Sequence, residues 1–173
     1  YFNGQYSGSR LNSTTNGAKG ADLFVERIAG KGIRLYYMDG NTKNYIEIEE
    51  YLNSSGQYRG NAKITTTPSC CWTYNSDLGI YVVILANAGK YFLGTYSTYE
   101  TFSASWIGYV DGTIPSSSAQ YIAKFIKSSD VSAEEPSDTV VQGTPVENPS
   151  VGTGYKFGFR QNMLDDKPFL GFS

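Results

Sequence analysis

The chain has 173 residues, 14 basic against 16 acidic for a net charge of −2, and no histidine. That length fits one domain with a self-sufficient core, and the balanced charge without a basic stripe argues against nucleic acid as a partner. Without histidine the usual serine triads, Cys-His nucleophiles and common zinc sites cannot be built, and no apolar run approaches the ~18 residues of a membrane span.

Fifteen tyrosines among few charged residues suit a β-rich, extracellular or cell-surface chain, whose rings pack on pleated faces and keep a wet hydroxyl. The chain opens at Tyr1 without an initiator Met or a signal peptide, so it is expected to be a processed or excerpted piece. Asn3-Gly4 and Gly8 flank a first expected turn, ahead of Arg10-Leu11. Residues 33–38 (IRLYYM) and 44–49 (NYIEIE) alternate around Asp39-Gly40, the strongest hairpin signal in the chain. Residues 80–85 (IYVVIL) pass through 86–89 (ANAG) into Tyr91-Phe92-Leu93-Gly94, a second hairpin of the same kind. Residues 119–127 have helical composition and read equally well as a strand over 121–125.

These pieces repeat. A turn leads to a short strand at Arg10-Leu11, at 45–48 and at 91–93. A Thr/Ser-rich strand follows at 13–15, 64–67 and 102–105, and an aromatic-bearing strand closes each copy at 23–25, 71–74 and 121–125. Copies two and three open with 33–38 and 80–85, whereas copy one lacks an opening strand. Residues 155–160 (YKFGFR) alternate as such a strand should. Between them and copy three, residues 128–154 are rich in Pro, Ser and Glu and carry no aromatic residue, which is linker composition. The expected organisation is a body over 1–127, a linker over 128–154 and an opening strand segment over 155–173.

Three four-strand units with a "GKYFLGTYS" hairpin resemble the β-trefoil, the all-β fold of ricin-type lectins, fascins and fibroblast growth factors. Residues 89–105 most resemble the fascin-like branch, whose units carry a "GKYL" turn, while the Gln-x-Trp signature of the ricin-type branch is absent. The "YKFG" and "YFLGTYSTYETFSAS" segments are also similar to tandem repeats of large secreted or surface proteins of gut bacteria. The resemblance implies twelve strands, a count met only if the 155–173 segment supplies the strand copy one lacks. Unpaired, it would expose Tyr155, Phe157, Phe159, Phe169 and Phe172 with open backbone donors. It either completes its own barrel or is donated to a neighbour, and the long linker favours donation.

Other features have more than one reading. Cys70-Cys71 is one core thiol beside a surface residue, a vicinal disulfide, or an intermolecular link. Asn12 and Asn53 head Asn-x-Ser/Thr triplets, glycan acceptors or chance matches in a chain rich in these residues. Glu47 and Glu49 share a strand face, either a solvated edge or a cation site, and the edge is the expectation. Tyr96, Tyr99, Trp106 and Tyr109 are the candidate glycan-stacking surface. The expectation is a non-enzymatic extracellular structural repeat that binds copies of itself and needs no cofactor or metal. A carbohydrate-binding module is the alternative, and a cytoskeletal cross-linker a further one.

Overall fold

A computed structural model of the chain describes residues 1–8, 10–13, 19–76, 79–95, 101–106, 123–131 and 145–158. The protein is all-β. Its strands are β1 (Phe2–Ser7), β2 (Arg10–Ser13), β3 (Leu23–Ile28), β4 (Gly32–Asp39), β5 (Thr42–Leu52), β6 (Tyr58–Thr65) and β7 (Thr73–Asn75). There follow β8 (Ile80–Leu85), β9 (Gly89–Thr95), β10 (Thr101–Trp106), β11 (Lys124–Lys127), β12 (Pro145–Val146) and β13 (Tyr155–Gly158), with a 3-10 turn at Ser128–Asp130. They form two antiparallel sheets, ordered β1-β2-β10-β9-β8-β7 and β12-β11-β13-β3-β4-β5-β6.

The pairing repeats three times. Leu35, Val82 and Phe157 lie opposite Val25, Thr73 and Phe125. Two residues earlier on the same strands, Ile33, Ile80 and Tyr155 lie opposite Arg27, Asn75 and Lys127. Each of these strands is then paired with the next in turn: Tyr36 with Tyr45 and Val83 with Tyr91. At the same offset on β13 stands Gly158, where an added Cβ would lie 3.1 Å from the Cα of Tyr1. Beyond that point Phe2, Ile46 and Phe92 face Ser13, Ile64 and Ser105 in the hairpins β1–β2, β5–β6 and β9–β10.

This register corrects two expectations about the first copy. The mate of Tyr45 and Tyr91 is Tyr1, not Arg10-Leu11, which belong to β2 alongside β6 and β10. Asn3-Gly4 flank no turn; they lie inside β1, where the pairing shifts between Phe2 and Tyr6. Gly4 has a φ of 82°, a bulge conformation that glycine adopts without a steric penalty. The turn itself is at Gly8, and Gly40 serves the β4–β5 hairpin in the same left-handed conformation.

The core lies between the blocks and draws on all three: Phe2, Leu11, Leu23, Val25, Ile33, Leu35, Ile46, Trp72, Tyr91, Leu93, Phe125 and Tyr155 are buried in one cluster. Part of the expected 128–154 linker belongs to this structure. Residues 128–131 continue directly from β11, and β12 pairs with β11 through Phe125↔Val146. Pro149 is fully buried. Composition misjudged residues 145–150, because polar groups there are satisfied by side chains of β3, β8 and β13. Arg27 donates to Asn148 Oδ1 (2.8 Å) and Pro149 O (2.7 Å), Tyr81 donates to Asn148 Oδ1 (3.0 Å), and Ser150 N donates to the Tyr155 hydroxyl (2.6 Å).

Candidate functional site

Three places in the fold bring chemistry-bearing side chains together. The first is a cavity of about 230 Å³ at the meeting of the blocks. Block-equivalent residues line it, Ile33 with Ile80 and Leu35 with Phe157, and Trp72 and Phe92 complete its apolar wall. The docked 145–147 stretch forms one side and brings Glu147 to the lining, opposite Lys124 of β11. Burial pushes the Lys124 ammonium below its usual value, and the Glu147 carboxylate works against that. Tyr74 donates to Glu147 at 3.3 Å and keeps it at the rim. The chamber suits a small apolar body more than a polyol, whose hydroxyls would need several fixed polar partners. Neither Lys124 nor Glu147 was singled out from sequence. Asn148-Pro149, a turn signal beside Glu147, was the available pointer.

The second place is the loop after β6. Glu47 is 6% exposed and its carboxylate accepts from Ser69 N (2.9 Å), Cys70 N (3.3 Å) and the Ser69 hydroxyl. It is therefore no solvated edge. β5 lies between β4 and β6, and residues 45–48 are buried in succession, covered on both faces. Glu49 is the exposed member of the pair, bridged to Lys63 at 3.1 Å. Cys70 and Cys71 are bonded to each other, and both are half-buried rather than one core and one surface. Next to them Trp72 donates its indole N–H to Ile46 O at 2.8 Å. Glu47→Ala strands two amide donors in a partly buried loop, so stability should fall by about 2 kcal/mol. A lower urea midpoint at unchanged slope is the expected reading, with Glu47→Gln intermediate because one oxygen acceptor remains.

The third place is the seam between β13 and β1. Tyr155 and Phe157 are buried on β13, which pairs with β11 and β3 of the same chain. Phe125 packs against both rings, at 6.0 Å and 5.0 Å between centroids. Lys156, between them in sequence and on the other face of β13, is buried and held by Asp22 at 2.8 Å and by Gly20 O at 2.7 Å. Burial would raise the Asp22 carboxyl, but hydrogen bonds from Lys156 and Ser128 prevail and hold it below its ordinary range.

Several sequence candidates are not assembled by these places. Phe159, Phe169, Phe172, Tyr96, Tyr99 and Tyr109 lie outside the described residues. The backbone of Trp106 lies opposite Tyr91 on β10. Asn12 is half-buried in β2 opposite Thr101. Asn53 closes the β5–β6 turn, its Oδ1 accepting from Ser55 N and Gln57 N at 3.0 and 2.9 Å. Among the described residues no cluster of three or more His, Cys, Asp or Glu could hold a metal ion, and no helix is long and apolar enough to cross a membrane. No protein-family model, curated protein or solved structure matches this chain.

Proposed function

We propose that the protein is a β-trefoil module that acts as a non-enzymatic building block of an extracellular or cell-surface fibre, assembled by β-strand donation. Three blocks of four strands in one pairing register, with β12 as an addition, support the trefoil reading. One observation carries the assembly reading. In two blocks the opening strand runs on into the next strand through a continuous hairpin, β4–β5 and β8–β9, whereas the corresponding junction of the remaining block is made by β13 and β1 from opposite parts of the sequence. A junction held only by non-covalent contacts can be remade with a neighbour's strand. Repeated head to tail, such a contact does not close on itself and produces a filament. The lack of any histidine supports a binding rather than a catalytic role. The carbohydrate-binding reading has no observation in its favour among the described side chains.

Removal of residues 159–173 leaves every described strand in place and takes away the chain that leaves β13. Negative-stain microscopy of the full chain should show filaments, and the 1–158 chain should remain monomeric with its β-sheet circular dichroism intact. Filaments of unchanged width from the shorter chain would sink the donation reading.

A further inference from the structure

The strand that fills the third junction has a twin in the same chain. Tyr1-Phe2-Asn3-Gly4 occupies the place that Tyr91-Phe92-Leu93-Gly94 occupies one block earlier in the pairing scheme. Pro168-Phe169-Leu170-Gly171 repeats that pattern, and Lys167 stands before it as Lys90 stands before Tyr91. The spacing agrees as well. Nine residues separate Tyr36 from Tyr45, eight separate Val83 from Tyr91, and ten separate Gly158 from Pro168. The sequence thus carries the pattern of β1 a second time, at residues 167–171.

The two segments are not equal. Phe2 is 0% exposed and has Phe92 as its mate, and Phe169 is the matching residue of the second segment. The next position is Leu93 in β9, 2% exposed, and Leu170 in the twin, but it is Asn3 in β1, half-buried. The twin therefore offers an apolar side chain where β1 leaves a polar one.

We propose that residues 167–173 of one copy are the donor strand and that the slot held by β1, beside β13, is the acceptor in a second copy, from which the donor displaces β1. This rests on the fibre reading above, and it names the segment and the groove. The exchange keeps the main-chain pairing from Phe169 onward; Pro168 takes the place of Tyr1 at the first position of the strand, where its missing N–H is tolerated, and Leu170 replaces Asn3. Donor and acceptor surfaces differ, so every copy can give and receive at once.

The test uses the full chain carrying Phe169→Asp, whose own donor strand is disabled, as acceptor. The probe is a fluorescent peptide of residues 165–173. Expected are saturable binding by anisotropy, at least tenfold weaker binding of a peptide with the same Phe169→Asp change, and faster amide exchange over residues 2–7 at saturation. Failure of the peptide to bind, or binding that leaves residues 2–7 protected, overturns the assignment of the slot. The variant chain should also fail to form filaments while melting as the parent does. If the peptide exchanges with β1 but the parent forms no filaments, the slot assignment stands and the fibre reading falls.

Discussion

Gly32→Ala should cost about 4 kcal/mol and lower the melting temperature by roughly 8–16 °C. Gly32 opens β4 with a φ of 138°, a conformation side-chain-bearing residues rarely adopt. A Cβ there would be driven into the carbonyl oxygen of Trp72, with Thr73 Cγ2 3.3 Å away. That carbonyl accepts from Ile33 N at 2.8 Å, and Trp72 N donates to Ile33 O at 2.7 Å, the bridge by which β4 meets the start of the β7 block. Backbone cannot step aside as a side chain can, so the bridge must break or β4 must shift. Gly154, which precedes β13 as Gly32 precedes Ile33, is the control. A Cβ there would meet nothing closer than Ser128 Oγ at 3.4 Å, so Gly154→Ala should change stability by less than about 1 kcal/mol. Thermal melts of the two variants side by side decide the matter, and equal losses would show that the bridge contributes nothing.

Tyr155→Ala should lose about 3–5 kcal/mol, and Tyr155→Phe only about 1 kcal/mol. The ring is 1% exposed, packs edge-on against Phe125, and its alanine replacement leaves a hole in the core cluster. The hydroxyl has a separate duty, accepting from Ser150 N at 2.6 Å and so tying the docked 145–150 stretch to β13. Chemical denaturation reads the alanine loss. Proteolysis near Ser150 reads the phenylalanine variant, in which that stretch should be cut faster although the core survives.

Local signals were legible where a strand pairs with its neighbour in sequence. Asp39-Gly40 marked the β4–β5 turn, and the runs at 33–38 and 80–85 fell on β4 and β8, block-equivalent strands. The legible signal failed where a residue's partner is distant. Asn3-Gly4 has turn composition, but long-range pairing at the seam makes it a bulge within β1. Glu47 sits in an alternating run that predicts an exposed face, and no local pattern reveals that Ser69 and Cys70 arrive to cover it from 22 and 23 residues away. Residues 145–150 look like solvated linker for the same reason: their partners Arg27, Tyr74 and Tyr81 lie 67 to 122 residues away. The place of Tyr1 was not legible either, because it lies beside Gly158, far away in the sequence.

The pairing of Leu23 with Tyr155 has a consequence for the order of events during synthesis. The partner of β3 is made 132 residues after it, and at ~5–20 residues per second that is a wait of roughly 7–26 s. Hairpins such as β4–β5 and β5–β6 form in microseconds and are complete long before. During the wait the Leu23 end of β3 lacks the partner that the finished sheet gives it, and the high contact order of that late pairing makes it the slow step. A nascent chain therefore spends most of its synthesis with β3 paired to β4 alone. Crowded ribosomes on one message hold several such strand ends near one another, so mispairing between nascent chains competes directly with the pairing of β3 and β13 within each.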